Sequence, residues 1–256
     1  MPDAASTLVG EAAVECRGLT FGYGDADAPP LISGLDLRVA TGKILCILGA
    51  SGCGKTSLLN LIAGFLLPRA GTIIAGGVRV TGPGPDRGVV FQDYSLFTWL
   101  TALGNVEFGL ALRGLGRAER KKAALAELTR VGLADKAHLY PFELSGGMKQ
   151  RVAIARTLAT SPRVLLMDEP FAALDALTRT TLQDELLSIH RATRTTIVFV
   201  THNIAEAITL ADRAIVMGQG GAIIEDVEVG RPPRSSPVFG ELYERLATAL
   251  NVRRAE

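Results

Sequence analysis

"GASGCGKTS", residues 49–57, decides how the rest of this chain is read. Its first eight residues satisfy the pattern G-x-x-x-x-G-K-[ST], and its flanks supply the context that pattern requires. "KILCIL" (43–48) precedes it, a continuous apolar run of the kind that forms a strand buried on both faces. "KTSLLNLIAG" follows, a helix that should stop at Gly64 with Pro68 just beyond. Glycines between strand and helix let backbone N–H groups converge on phosphate oxygens without Cβ atoms in the way. The helix start adds its partial positive charge. Gly49, Ala50, Ser51, Gly52, Cys53, Gly54 and Ser57 are therefore expected to build the cradle, with Lys55 reaching the β- and γ-phosphates and the Thr56 hydroxyl on Mg2+. Cys53, beside Lys55 at the helix start, has two features that lower a thiol pKa and raise reactivity. A plain glycine-rich turn is the bland alternative.

The second chemical stretch is "RVLLMDEP" (163–170), apolar residues and then two carboxylates where a buried strand should end. Asp168 is the candidate to hold Mg2+, directly or through water, and Glu169 the candidate general base for an attacking water. Paired acids at a strand end can also cap the following helix. Further strands are expected at "GTIIAGGVRV", "RGVVF" and "TTIVFVTH" (195–202), with the amphipathic "TRTTLQDELLSIHRAT" separating the last of these from "RVLLMDE" (163–169). Alternating strands and helices imply an α/β fold with a mainly parallel core sheet. Residues 14–48 carry short apolar stretches broken by "GYGDADAPP" and "ATG", which reads as an N-terminal antiparallel β-subdomain. From about 98 to 160 the texture is helical, a helical subdomain inserted between core strands. "RPPRSSP" (231–237) is a linker to a C-terminal helix within 231–256, whose stripe of Phe239, Leu242, Tyr243, Leu246 and Leu250 should pack on the protein itself.

Composition narrows the function classes. Of the 256 residues 48% are hydrophobic and 21% charged, a globular balance, and the formal net charge of +1 offers no general pull on nucleic acid. No apolar run reaches the ~18 residues of a membrane helix, and the N-terminal stretch does not read as a secretory signal. Three scattered cysteines and three scattered histidines argue against a disulfide framework or a zinc site and for a reducing compartment.

A second glycine-rich helix start, "ELSGGMKQR" (143–151), remains, although one nucleotide needs only one. LSGGMKQR resembles the signature motif of ATP-binding cassette (ABC) ATPases, which are P-loop NTPases in which two cassettes sandwich ATP head to tail. The resemblance covers residues 12–230 and implies that Ser145, Gly146 and Gly147 meet the γ-phosphate held by a partner copy. It likewise implies that Gln92 touches Mg2+ and the water, that Asp175 lies in the loop crossing to the partner, and that His202 is the switch histidine at the γ-phosphate. Tyr23 resembles the aromatic that stacks on adenine, with Phe21 as its rival. Met148 stands where the family commonly has glutamine, and Asn203 where it commonly has aspartate; Asn203 can still cap the next helix.

Within the family, "GPGPDRGVVFQ", "LFTWLTALGNVEFGL" and "FAALDALTR" resemble the ATPase subunits of nitrate, sulfonate and taurine importers. The resemblance then implies ATP and Mg2+ as cofactors and a homodimer on the cytoplasmic face of the inner membrane. Transmembrane permease subunits would be its partners, with a solute-binding protein acting indirectly and no nucleic acid. Contact with the permease is expected at 93–100, where Trp99 is either a surface anchor or local core. A non-transport ABC ATPase acting as an assembly factor carries the same motifs. A chromosome or DNA-repair ABC protein would need a long coiled-coil insertion, for which the fifty or so residues before the signature are too few.

Overall fold

The computed structural model describes residues 12–25, 27–111 and 113–251. In chain order the strands and helices are β1 (Ala12–Phe21), β2 (Ile32–Ala40), β3 (Ile44–Gly49), α1 (Lys55–Ala63), β4 (Ala70–Ala75), β5 (Val78–Arg79) and β6 (Arg87–Val90). They continue as α2 (Ala102–Ala111), α3 (Arg117–Arg130), α4 (Gly146–Ala159), β7 (Val164–Asp168), α5 (Ala176–Thr193), β8 (Thr196–Val200), α6 (Ile204–Leu210), β9 (Arg213–Met217), β10 (Ile223–Glu228) and α7 (Pro237–Asn251). The end of the C-terminal segment, 252–256, lies outside the described residues.

Two sheets organise these elements. A six-stranded sheet runs β10-β9-β3-β8-β7-β6, parallel throughout except for the antiparallel β9–β10 pair. A four-stranded antiparallel sheet runs β2-β1-β4-β5. Every residue of β3 and β8 is buried, as continuous apolar runs require when both faces are covered. Because side chains alternate along a strand, β3 serves two cores. Ile44, Cys46 and Leu48 face the side packed by α4, α5 and α6, while Leu45 and Ile47 join α1 and the antiparallel sheet. α2, α3 and α4 pack on one another between β6 and β7, forming the expected helical insertion.

"GTIIAGGVRV", expected as one strand, is a hairpin of β4 and β5. Gly76 and Gly77, at φ 56 and 81, supply the paired left-handed conformations of a two-residue hairpin turn. α7 begins at Pro237, a residue suited to the first helical position. Its Leu246 is fully buried, and Phe239, Leu242 and Leu250 pack on the main core. Tyr243, expected in that stripe, is 42% exposed and faces elsewhere.

Candidate active site

Parallel strands point their C-terminal ends to one edge of the sheet, where open α/β folds gather binding groups. β3, β7 and β8 end there, delivering the glycine-rich loop, the Asp168–Glu169 pair and His202. Gly49, Ala50, Ser51, Lys55, Glu169, His202 and Ile204 line a single cleft of about 580 Å³. α7 closes one wall with Tyr243, Ala247 and Leu250, a contribution that no local sequence signal announces.

Lys55 is 8% exposed, and its ammonium donates to the Gly49 and Ala50 carbonyls, each at 2.8 Å. Its third contact is the Cys53 sulfur at 3.9 Å. The hydrogen-bond partners of this ammonium are neutral carbonyls that an anion can replace, so the loop fits a phosphate chain. Beside it, the Thr56 hydroxyl donates to Asp168 Oδ1 at 3.3 Å. Burial raises the Asp168 pKa above its ordinary value and Glu169 adds to this, against the Thr56 hydrogen bond and the charge of Lys55. A hydroxyl and a carboxylate side by side suit a hard divalent cation through oxygen ligands. No group of three or more His, Cys, Asp or Glu side chains that could hold a metal occurs among the described residues.

Glu169 follows β7 with φ 44, a left-handed conformation uncommon for a residue with a side chain. Its N–H donates to Val200 O at 3.0 Å, which ties the turn to the end of β8. Its carboxylate lies 3.2 Å from Nδ1 of His202, whose side chain is 68% exposed. The chain thus accepts local strain to bring the Glu169 carboxylate and the imidazole together. Asn203 caps α6, its Oδ1 accepting from Glu206 N at 3.3 Å.

Phe21 is buried at the end of β1 and presents no face to a ligand, whereas Tyr23 is 59% exposed. The two rings meet edge to face with centroids 5.0 Å apart. The Tyr23 hydroxyl hydrogen-bonds the Ser57 hydroxyl at 3.0 Å, which places the exposed ring beside the start of α1.

The cleft does not include Gln92, Ser145, Gly146, Gly147 or Asp175. Gln92 is exposed just past β6. Ser145 is the exposed N-cap of α4, its hydroxyl accepting from Met148 N at 3.3 Å. Asp175 caps α5 by accepting from Leu177 N and Thr178 N at 3.1 and 3.0 Å, and its side-chain bond with Thr178 holds its pKa low. Gly147 has a reason within the chain that the sequence concealed: a Cβ there would collide with the Thr178 methyl, so glycine lets α4 meet α5. Packing is thus one reason for the second glycine of the signature, while Ser145 and Gly146 are exposed at the helix start.

Cys53 also departs from expectation. It lies next to Lys55, but it is 3% exposed, so its thiol is not open to a bulky reagent. Burial pushes the Cys16 thiol up to about 12 and the Cys46 thiol well above its ordinary value. All three cysteines should therefore resist a bulky maleimide in the folded protein and react readily in denaturant. Residue-resolved mass spectrometry reads this directly, and rapid labelling of Cys53 in the folded chain would show that the loop opens.

Strand, phosphate loop, helix and a carboxylate pair at the ends of parallel strands define a P-loop nucleoside triphosphatase. A family model described as ABC transporter matches residues 32–172. Taurine import ATP-binding protein TauB of Chromobacterium violaceum is 49% identical over 244 residues, covering 90% of this chain and 92% of its own length. TauB of Yersinia pestis bv. Antiqua is 46% identical over 222 residues, covering 86% and 84%. Among solved structures, cbiO1 of Clostridium perfringens, part of the ABC transporter complex cbiONQ, superimposes with TM-score 0.79 at 27% identity over 95% of this chain and 97% of that one. A dimeric post-hydrolysis state of the ATP-binding cassette MJ0796, bound to ADP and Pi, gives 0.75 at 31% identity over 84% and 98%. The chain belongs to the ABC transporter family and is an ATPase of that family.

Proposed function

We propose that this chain is the ATP-hydrolysing subunit of an importer for a small sulfonate or related anion, working as a head-to-tail pair beneath transmembrane permease subunits. The observation that carries this reading is the 46–49% identity with taurine import ATP-binding proteins across most of both chains.

In this reading the loop from Gly49 to Ser57 binds the triphosphate through its backbone N–H groups, and Tyr23 stacks on adenine. Lys55 exchanges its two carbonyl partners for the β- and γ-phosphates. Thr56, Asp168 and Gln92 hold Mg2+, which supplies charge neutralisation on the phosphate oxygens. Glu169 accepts a proton from the attacking water as the γ-phosphoryl group transfers to it and ADP leaves. His202, 3.2 Å from Glu169, orients that carboxylate and contacts the γ-phosphate. Ser145, Gly146 and Gly147 of a second copy complete the shell from the far side, with Asp175 in the loop that meets the partner. Gln92 stands where β6 passes into the helical insertion, so its approach depends on how that insertion is oriented.

An exposed aromatic patch offers the permease contact. Trp99 is 71% exposed, which removes the local-core alternative for it, and its ring packs on Phe97 at 5.3 Å. Phe97 also packs on half-exposed Phe108 at 4.5 Å and lies under the Arg156 guanidinium. Half-exposed Phe65, stacked on Phe91 at 6.0 Å, lines a groove with Gly109 and Arg113 on the same insertion boundary. Exposed aromatics of this density mark contact sites. No helix among the described residues is long and apolar enough to cross a membrane, so such contacts would carry the attachment.

Tagged chain purified from detergent-solubilised membranes should bring down a multi-span membrane protein, and Trp99→Asp should lose it while keeping ATP binding. Vesicles holding that complex should take up taurine, an alkanesulfonate or nitrate when ATP is supplied on the side of this chain. Recovery of a soluble scaffold protein instead would favour the assembly-factor alternative.

A further inference from the structure

We propose that Arg179 and Glu206 are positioning residues that hold the His202 turn and link it to the loop ending at Asp175. The inference rests on His202 acting in hydrolysis and adds what places it there.

His202 itself is poorly anchored. Its side chain is largely exposed and its hydrogen-bond or ion-pair contact is Glu169. The imidazole therefore goes where the backbone turn 201–203 puts it. That turn is pinned by Thr201 and Glu206, the buried carboxylate holding the Thr201 hydroxyl and the Glu206 backbone N–H holding Asn203. Thr201 is 2% exposed, and its hydroxyl donates to Glu206 Oε2 at 2.6 Å. The same hydroxyl accepts from Asn203 N at 3.1 Å, so it fixes the residues before and after His202. Asn203 Oδ1 in turn accepts from Glu206 N, closing the turn onto α6.

A carboxylate 5% exposed is costly to keep charged unless it is paired. Besides the Thr201 hydroxyl, the carboxylate has beside it the cation of Arg179 of α5, whose Nε lies 3.6 Å from Glu206 Oε1, an ion pair without a hydrogen bond. The fork of that guanidinium reaches further, because Nη2 donates to Leu174 O at 2.9 Å. Leu174 directly precedes Asp175. One planar side chain thus joins the backbone of that loop to the carboxylate that shapes the histidine turn, a two-ended role for which lysine is a poor substitute. A shift of the loop on pairing would reach His202 through Arg179, Glu206 and Thr201 in turn.

A purely structural pair would lower stability, and its effect on rate would add to that of His202. Positioning predicts a different pattern in the full-length chain. Glu206→Ala should lower kcat about 10²-fold, the scale of an ångström-level misplacement, with ATP affinity unchanged. Glu206→Gln, whose amide oxygen can still accept from Thr201, should recover much of that loss. Arg179→Leu should lower kcat in the same direction, and Arg179→Lys should restore it only in part. The double variant Glu206→Ala/His202→Ala should be no slower than His202→Ala alone, since Glu206 acts through the histidine. Near-normal kcat in both Glu206→Ala and Arg179→Leu, or additive losses in the double variant, would overturn the proposal. Should Glu206→Ala not fold, Arg179→Leu alone and the double variant Arg179→Leu/His202→Ala give the same two readings. Full turnover in His202→Ala would instead remove the role of the histidine on which the proposal rests.

Discussion

Glu169→Gln is expected to abolish most ATP turnover, by about 10²- to 10⁴-fold, the range found when a general base is lost. The substitution keeps the size and planarity of the side chain, so the left-handed turn at 169 and its N–H bond to Val200 O should survive. It removes proton acceptance, together with the charge facing His202 at 3.2 Å. ATP should still bind, because the cradle and Lys55 are untouched. Paired chains should accumulate in ATP, since the step that reopens them is blocked. Phosphate release and nucleotide binding measured on the same preparation separate the two effects. Turnover within a few-fold of the unmodified chain would rule Glu169 out as the main base.

Lys55→Ala should carry the next largest effect, on binding. The ammonium is buried and charged, and hydrogen bonds to charged groups are worth about 1.5–3 kcal/mol, which converts to about 10- to 150-fold in ATP affinity. Ser145→Arg should leave the affinity of a single chain for ATP nearly intact, because Ser145 does not line the cleft of its own chain. It should prevent pairing in ATP, since the longer cation fills the space meant for the partner's phosphates. Equal loss of affinity in both variants would mean that the two glycine-rich starts serve one nucleotide. Calorimetric titration of the monomeric chains decides between them.

The parts legible in the sequence are those with local causes. The buried strand, phosphate loop and helix of 43–64 follow from a run of apolar residues, a glycine pattern and a stop at Gly64, and the structure has them as β3, loop and α1. The end of β7 at Asp168 was legible for the same reason. What stayed hidden depends on contacts between residues far apart in the chain. Gly147 reads as a phosphate-loop glycine, yet it is required by Thr178 of a different helix. Cys53 reads as a reactive thiol from its neighbours, while its burial depends on how the whole loop folds inward. Gly76 and Gly77 divide a stretch that hydrophobicity alone joins into one strand. Trp99 could be core or surface on composition, and only the fold leaves it exposed. Arg179, Thr201 and Glu206 carry no motif that links them; α5, β8 and α6 bring them together.

In the proposed head-to-tail pair the two glycine-rich starts belong to different nucleotides, one per copy. The decisive measurement is ATP turnover by an equimolar mixture of Lys55→Ala and Ser145→Arg chains. Each variant alone should be nearly inactive, one for want of binding and the other for want of pairing. A mixed head-to-tail pair holds one cleft in which an intact Lys55 faces an intact Ser145, so mixing should restore turnover. A mixture as inactive as its separate components would contradict it.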